Sequence, residues 1–328
     1  MNNEKIKLGQ FFTKESLWLK PQIFNFIINS KCDIAYDPFA GQGDLLNVAK
    51  DILNFKTIKG LDIDEKLKWE KNDSLLSIPT IKNAIIITNP PYIAKHSASR
   101  KNIDLSNYFL KSEYDDIYLI ALDRIIKAQQ YSVAIIPESF INSNFRNMNL
   151  VSSITIIEQN PFTDTEVPIC VVCFDGIDKD FSKIKIYKGE KYLDNLQNIL
   201  NNRKKPKNNI EINFNDKNGW LGLRAIDSSN SINFITFDFK EKFNYDWERK
   251  VKISSRNFSL IYVDIPVNKR IKLINKCNEI LLNIREKSYD VILTPFKGNN
   301  KNGVRRRRLD FKLARWIIEK SIELIDKE

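Results

Sequence analysis

The stretch Ala35-Tyr36-Asp37-Pro38-Phe39-Ala40-Gly41-Gln42-Gly43-Asp44 decides the fold. It reads as a strand end, a turn with two glycines and the start of a helix over residues 44–54. Glycines in such a turn let the backbone approach a ligand, and the helix N-terminus presents unpaired N–H groups. The third glycine of the dinucleotide-binding fingerprint is missing. The stretch therefore favours an α/β fold with a ligand site at this turn.

The chain on both sides of this turn alternates between helical and strand-like patterns. Helical spacing of apolar residues predicts helices over residues 14–28, 44–54 and 115–129. Short apolar runs predict strands over residues 33–37, 57–62, 84–88, 132–136, 154–157 and 169–174. This alternation predicts a doubly wound, mostly parallel sheet.

Composition narrows the class of protein. A chain of 328 residues with 42% hydrophobic and 28% charged residues has room for two globular domains. It has no run of about 18 apolar residues and no signal-peptide core near Met1, so we expect a cytoplasmic protein without a membrane span. Cys170 and Cys173 would point to opposite faces of a strand, and we predict no metal site.

Charge divides the chain. Residues 1–178 carry 19 Lys+Arg and 22 Asp+Glu, a net charge of −3, whereas residues 179–328 carry 33 and 19, a net charge of +14. This asymmetry predicts a catalytic domain over residues 1–178 and a basic, mixed α+β domain for nucleic acid over residues 179–328. A lysine-rich surface that reflects compositional bias is the alternative explanation.

The run Asn89-Pro90-Pro91-Tyr92 directly follows the apolar strand predicted over residues 84–88. Each proline fixes its own φ and lacks an N–H, so the turn is stiff and the carbonyls of Asn89 and Pro90 can accept hydrogen bonds. Tyr92 offers a flat face beside them. Such a set suits one task well, which is to hold the exocyclic amino group of a nucleobase while its ring is stacked.

Several motifs, in the right order, resemble those of the DNA amino-methyltransferases. Asn89-Pro90-Pro91-Tyr92 resembles their fourth motif, (Asn/Asp/Ser)-Pro-Pro-(Tyr/Phe), and residues 35–44 resemble the first motif of S-adenosylmethionine enzymes. The others are Gly60-Leu61-Asp62-Ile63-Asp64, Asn72-Asp73-Ser74-Leu75 and the N-terminal Gly9-Gln10-Phe11-Phe12-Thr13, where Lys14 replaces the usual Pro. The resemblance covers about residues 8–175. With the basic segment last, the order is that of the γ class, found mainly in restriction-modification systems.

The resemblance implies a fold of the S-adenosylmethionine-dependent methyltransferase type and assigns that cofactor to it. It places Asp62 on the ribose hydroxyls and Asp73 on the adenine amino group of the cofactor. The residues expected to bind the cofactor are Gly9, Phe11, Phe12, Thr13, Asp37, Pro38, Phe39, Ala40, Gly41, Gly43, Asp62, Ile63, Asp73, Ser74 and Asn89.

The resemblance also implies methyl transfer to N6 of an adenine that has flipped out of duplex DNA. Asn89, Pro90, Pro91 and Tyr92 are the expected catalytic residues, with Tyr92 and Phe162 stacking on the base. We expect a monomer that binds double-stranded DNA, with a cognate restriction endonuclease as a functional partner. The candidate DNA contacts are Lys95, Arg100, Lys101, Lys252, Arg256, Lys297, Lys301 and a run at the start of the helix predicted over residues 309–325, Arg305, Arg306, Arg307 and Arg308.

Three other functions remain open at this point. Cytosine-N4 methyltransferases share the same chemistry, although they more often have Ser before the two prolines. Enzymes that methylate protein glutamine at N5 carry the same four residues, but the Phe-Phe-Thr motif and the basic C-terminal half argue against this substrate. The third alternative is a DNA-binding module without catalysis.

Overall fold

The computed structural model describes residues 16–159, 166–230, 234–250 and 257–327, and the chain forms two compact units, Met1–Leu196 and Gln197–Glu328. Several predicted site residues lie outside the described residues: Gly9, Phe11, Phe12, Thr13, Phe162, Lys252 and Arg256. Each unit has its own sheet, and a short helix, α6 (Leu196–Leu200), crosses the boundary in sequence.

A nine-stranded sheet in the order β3-β2-β1-β4-β5-β7-β6-β8-β9 forms the centre of the first unit. Pairing is parallel from β3 to β5, while β7 runs antiparallel to both of its neighbours. The strands are β1 (Ile34–Asp37), β2 (Thr57–Asp62), β3 (Glu70–Lys71), β4 (Ala84–Thr88), β5 (Ser132–Pro137), β6 (Val151–Ile157), β7 (Ile169–Phe174), β8 (Lys185–Lys188) and β9 (Lys191–Asn195).

The described part of this unit contains the helices α1 (Pro21–Asn29), α2 (Asp44–Asp51), α3 (Lys95–Arg100), α4 (Ser106–Phe109) and α5 (Ile117–Ala128). The helix predicted over residues 14–28 begins only at Pro21, after a short 3-10 turn at Ser16–Trp18. Proline pushes the residue before it out of the helical region, and Lys20 is extended with φ −79° and ψ 158°. Proline is itself favoured in the first turn, so α1 starts there.

Burial explains why the strands read as continuous apolar runs. Every residue of β4 and β7 is buried, as in a sheet that is covered on both faces. Trp18, Ile23 and Leu46 join alternate residues of the central strands in one apolar core. The first unit thus confirms the predicted doubly wound, mostly parallel sheet.

The first unit extends beyond residue 178, where the sequence suggested a domain boundary. The β8–β9 hairpin continues the nine-stranded sheet, because β8 pairs in parallel with β6. The compact unit therefore ends at Leu196. The charge asymmetry survives this shift, since residues 197–328 still carry 28 Lys+Arg against 16 Asp+Glu.

The second unit is a mixed α+β structure. A four-stranded antiparallel sheet has the order β10-β13-β11-β12, and β14 and β15 form a separate two-stranded ribbon. Its elements are β10 (Ile212–Phe214), β11 (Leu221–Arg224), β12 (Thr236–Phe239), α7 (Trp247–Lys250), β13 (Phe258–Val263), α8 (Arg270–Lys287), β14 (Thr294–Asn299), β15 (Arg305–Arg308) and α9 (Phe311–Ile325). None of the helices in the described ranges is long and apolar enough to cross a membrane.

The four consecutive arginines do not start a helix, and that prediction was wrong. They form β15, which pairs with β14, and α9 begins at Phe311. The side chain of Asp310 caps α9 by accepting a hydrogen bond from the Leu313 N–H at 2.9 Å. An acidic cap matches the positive end of the helix dipole, so α9 has an ordinary N-terminus. The clustering of the four arginines in β15 therefore needs a different explanation.

Candidate active site

A cleft lies at the carboxyl ends of the neighbouring strands β1, β2 and β4, the edge at which open α/β sheets bind ligands. The cleft encloses about 1190 Å³ of empty space, a figure that includes space open to solvent. The structure brings these predicted residues together on its wall: Asp37, Pro38, Phe39, Ala40, Gly41, Asp62, Ile63, Asp73, Ser74, Asn89 and Pro91.

Gly41 forms an open cradle in this cleft. Its φ is +52°, and a Cβ built on it would meet no atom within 4 Å. The Gly41 N–H donates to Oδ2 of Asp62 at 2.8 Å, and the Asp64 N–H donates to Oδ1 at 2.9 Å. Each carboxylate oxygen has a further lone pair, so Asp62 can hold the turn and still accept from ligand hydroxyls.

Trp69 supports the glycine turn from the side away from that open space. Its indole N–H donates to the Gly41 carbonyl at 2.9 Å. A Cβ on Gly43, which has φ +90°, would lie 2.7 Å from the Trp69 ring, and a Cβ on Gly60 would lie 2.5 Å from it. Gly43 does not line the cleft, so its lack of a side chain serves the packing of Trp69. Sequence reasoning did not select Trp69, which lies 26 residues from Gly43 in a segment without a motif.

Removing the indole should weaken cofactor binding. We expect Trp69→Phe, which loses one hydrogen bond of about 1 kcal/mol, to raise the Kd for S-adenosylmethionine about fivefold. Trp69→Leu should raise it further, because the glycine turn also loses its packed ring. Isothermal titration calorimetry measures both, with the exposed Lys66→Ala as control. Unchanged affinity in Trp69→Leu would contradict the bracing role.

Asp37 is a buried carboxyl on the cleft wall at the end of β1. Burial raises its pKa to about 7, although the Thr88 hydroxyl at 2.5 Å and the Phe39 N–H at 3.0 Å donate to Oδ1. The native protein therefore binds this proton more tightly than the unfolded chain. The resulting stabilisation is complete below about pH 4 and is lost as the pH rises through about 7.

The pH dependence can be isolated with Asp37→Asn, which keeps an acceptor at this position and cannot ionise. Between about pH 4 and 7, the free energy of unfolding of the original protein should fall relative to that of the variant by about 1.4 kcal/mol per pH unit. Urea unfolding without cofactor, followed by tryptophan fluorescence at several pH values, measures the difference. Parallel pH profiles of the two proteins would show that Asp37 ionises as freely in the native state as in the unfolded chain.

Tyr108 is a wall residue that sequence reasoning missed. It comes from α4, and its hydroxyl donates to Oδ2 of Asp73 at 2.8 Å. Burial, followed by this hydrogen bond, raises the pKa of Tyr108 to about 12. Sequence reasoning selected only Lys95, Arg100 and Lys101 from the segment after Asn89-Pro90-Pro91-Tyr92, and no local pattern connects Tyr108 with an acid 35 residues earlier.

Asn89 lines the same cleft as Gly41 and follows β4 immediately. The single proton of the Tyr92 hydroxyl has two acceptors within reach, Oδ1 of Asn89 and the carbonyl oxygen of Ile135 at 2.6 Å, and it is donated to one of them at a time. An amide oxygen has two lone pairs, so Asn89 can accept from Tyr92 and still accept a second hydrogen bond from an amine. When the hydroxyl donates to Asn89, it holds the side-chain amide with its oxygen toward Tyr92.

The ring of Tyr92 packs inward in this structure. It lies against the apolar core and meets Tyr118 edge-on at 6.5 Å between ring centroids. Burial raises the pKa of Tyr92 well above its usual value. Tyr92 is not part of the cleft wall, so base stacking by its ring stays a prediction that requires the ring to turn. Pro90, another of the predicted catalytic residues, is buried.

The predicted DNA contacts fall into two sets. Lys95, Arg100 and Lys101 are exposed on and just after α3 in the first unit. The others occur in β14, β15 and the turn between them, where Lys297 and Lys301 are exposed, and Arg305, Arg306 and Arg308 are half-buried. Arg307 is only 2% exposed, so its proposed contact with a phosphate is wrong, because its side chain points into the protein.

The cleft suits S-adenosylmethionine, a ligand with a positive charge and an adenosine. Five acids, Asp37, Asp44, Asp62, Asp64 and Asp73, line it together with apolar side chains, and the Gly41 cradle admits close approach of a ligand to the backbone. Among the described residues, no group of three or more His, Cys, Asp or Glu side chains could hold a metal ion.

Comparison with known proteins found no matching family model and no matching curated protein. Among solved structures, a Listeria monocytogenes protein described as a class I S-adenosylmethionine-dependent methyltransferase is 12% identical, with a TM-score of 0.36, over 54% of this chain and 68% of its own. A type I restriction-modification methyltransferase subunit from Streptococcus thermophilus is 17% identical, with a TM-score of 0.40, over 59% of this chain and 53% of its own. TrmN from Thermus thermophilus is 13% identical, with a TM-score of 0.28, over 47% and 48%. The chain spans about half the length of the last two proteins.

Proposed function

We propose that this protein is an S-adenosylmethionine-dependent DNA methyltransferase of a restriction-modification system that modifies N6 of adenine. One observation carries the proposal: Asn89 and Pro91 line the same cleft as the Gly41 cradle and the carboxylate of Asp62. A group that holds an exocyclic amine thus faces a site suited to the cofactor.

Several residues of the chain would hold the cofactor. Asp62 would accept from its ribose hydroxyls and Asp73 from its adenine amino group, while the backbone of Gly41 would lie against it. Tyr108 donates to Asp73 and so holds that carboxylate in place. When bound, the cofactor supplies an electrophilic methyl group on a positively charged sulfur.

The grip on the substrate amine would come from two oxygens. An exocyclic amine is a poor nucleophile because its lone pair is delocalised into the ring. Hydrogen bonds from its two N–H groups to Oδ1 of Asn89 and the carbonyl of Pro90 would favour a pyramidal nitrogen with a localised lone pair. Positioning and stabilisation of the positive charge that develops on nitrogen then account for most of the rate. Tyr92 would orient the amide of Asn89 through its hydroxyl.

Duplex DNA is the proposed substrate because the second unit carries a net charge of +12. An excess of Lys and Arg on one unit provides the attraction to phosphates that nucleic-acid binding requires. A base within the duplex cannot reach a cleft of this kind, so the adenine would flip out. We propose that one copy of the chain is sufficient for this reaction.

Tritium transfer from labelled S-adenosylmethionine to a library of random duplexes tests the proposal, with mass spectrometry identifying the modified base. We expect N6-methyladenine. Label on cytosine N4 would redirect the assignment to the other exocyclic amine, and no label on any duplex would end it. A release-factor glutamine peptide in the same assay tests the remaining alternative.

A further inference from the structure

The ribbon formed by residues 294–308 is the most strongly cationic segment of the second unit that the structure describes. These residues include six Lys+Arg, three Asn and no Asp or Glu. β14 and β15 pair antiparallel, with an irregularity between Pro295 and Asn299, and Gly303 turns at the tip with φ +75°. The ribbon therefore carries six positive charges and no acid of its own to balance them, which points to a polyanionic partner.

The tip, residues 299–304, is exposed and yet internally ordered. Oδ1 of Asn300 accepts from the N–H groups of Asn302 at 3.0 Å and Val304 at 2.9 Å. The side chains of Lys301 and Asn302 are exposed, and Val304 is 51% exposed. A rigid, solvent-facing tip loses little conformational entropy on binding.

The base of the ribbon is anchored in the protein. Asp227 accepts from the Arg307 N–H at 3.0 Å, and Arg306 donates from Nε to the Asp227 carbonyl at 2.9 Å while its guanidinium lies 4.9 Å from the Phe296 ring. Arg306 is thus held through its side chain and Arg307 through its backbone N–H, while the Arg307 side chain is buried. Nη1 of Arg305 donates to Oδ1 of Asn299 at 2.9 Å. The exposed side chains that remain for a partner are those at the tip and Lys297.

The chemistry of the tip matches base edges as well as phosphates. Asn pairs with the edge of adenine, and a small apolar group packs on the methyl group of thymine. The major groove of B-DNA, about 12 Å wide, admits a two-stranded ribbon. The corresponding groove of A-form RNA is deep and narrow, so the geometry favours DNA over RNA.

We infer that the β14–β15 ribbon enters the major groove of duplex DNA and reads base sequence through its tip. This inference rests on the proposed function for its choice of duplex DNA as the ligand. It assigns to the tip residues Asn302 and Val304 the reading of bases, and to Lys301 a contact with the backbone.

The test uses the full chain with Lys301→Ala, Asn302→Ala and Val304→Ala combined. The control is Lys272→Ala, which removes the same charge from an exposed position on α8. Each protein selects from a library of random duplexes without cofactor, and the bound pool is sequenced. Circular dichroism and S-adenosylmethionine binding confirm that each variant is folded.

We expect the original protein and the control to enrich the same sequence. The tip variant should lose at least one base position of it and bind that sequence about 5-fold to 100-fold more weakly, while its affinity for unrelated duplexes should match that of the control. An unchanged sequence preference in the tip variant would overturn the inference, as would no enrichment by the original protein or equal displacement by duplex RNA. Enrichment without methyl transfer would remove the proposed function and leave the ribbon assignment standing.

Discussion

Asn89→Ala should lower methyl transfer to DNA by about 100-fold or more while leaving the protein folded and able to bind cofactor. The variant removes one of the two oxygens that would hold the target amine, and the loss of a single group that stabilises a developing charge typically costs 100-fold to 1,000-fold in rate. Asn89 contributes only part of the cleft wall, so the Kd for S-adenosylmethionine should stay within about fivefold, the equivalent of one hydrogen bond.

Tyr92→Phe is the matched control for this variant. It keeps the ring that packs against the core and deletes the hydroxyl that orients Asn89. We expect about a fivefold loss in turnover, since the acceptor remains but is held less firmly. Single-turnover tritium transfer and calorimetric cofactor titration measure both variants. Loss of cofactor binding in a folded Asn89→Ala protein would contradict the assignment to the amine, and full activity would end it.

The second large effect concerns the stability of the second unit. Arg285 donates to both carboxylate oxygens of Asp227, at 2.9 Å and 3.0 Å, and to Oδ1 of Asp290 at 2.7 Å. Its side chain is 16% exposed and that of Asp227 is 7% exposed. Arg285→Met should lower the free energy of unfolding by about 3–5 kcal/mol, because it leaves a buried carboxylate without its cation.

A more exposed ion pair in the same unit provides the comparison for Arg285 and Asp227. Lys269 and Asp326 form an ion pair at 2.8 Å with side chains 41% and 53% exposed, so Lys269→Met should cost less than about 1 kcal/mol. Urea unfolding and hydrogen exchange read by mass spectrometry measure both. Exchange should accelerate in Arg285→Met around Ile235 and Arg307, whose N–H groups donate to Asp227. Equal costs for the two substitutions would show that burial does not govern this pair.

The β-strands of the first unit were largely readable from local pattern. The bounds of β2, β4 and β7 were predicted without error. For β4 and β7 the reason is that a strand buried on both faces must be apolar at every position and ends where polar or turn residues follow. The glycine turn of residues 35–44 and the position of Asn89 at a strand end have the same origin. Each of these two features is encoded in a stretch of about ten residues, and the local backbone preferences of glycine and proline determine it.

Errors arose where the outcome depended on a partner far away in sequence. Arg305–Arg308 form a strand because β14 and the segment around Asp227 pair with them. The run of arginines itself contains no pattern that predicts these partners. The compact first unit extends past residue 178 because β8 pairs with the edge of β6.

The sequence alone therefore determined the fold class, the cofactor turn and the place of the candidate amine grip, since each follows from propensities over a few neighbouring residues. The tertiary structure decided how those parts are supported. Trp69 donates a hydrogen bond to the glycine turn, Tyr108 to Asp73 and Tyr92 to Asn89, and Asp227 accepts one from the base of the ribbon. Except for the contact of Tyr92 with Asn89 and the packing of Trp69 on Gly60, these supports join residues at least 26 positions apart. Such contacts depend on shape and burial in the folded chain, which no periodicity in the sequence records.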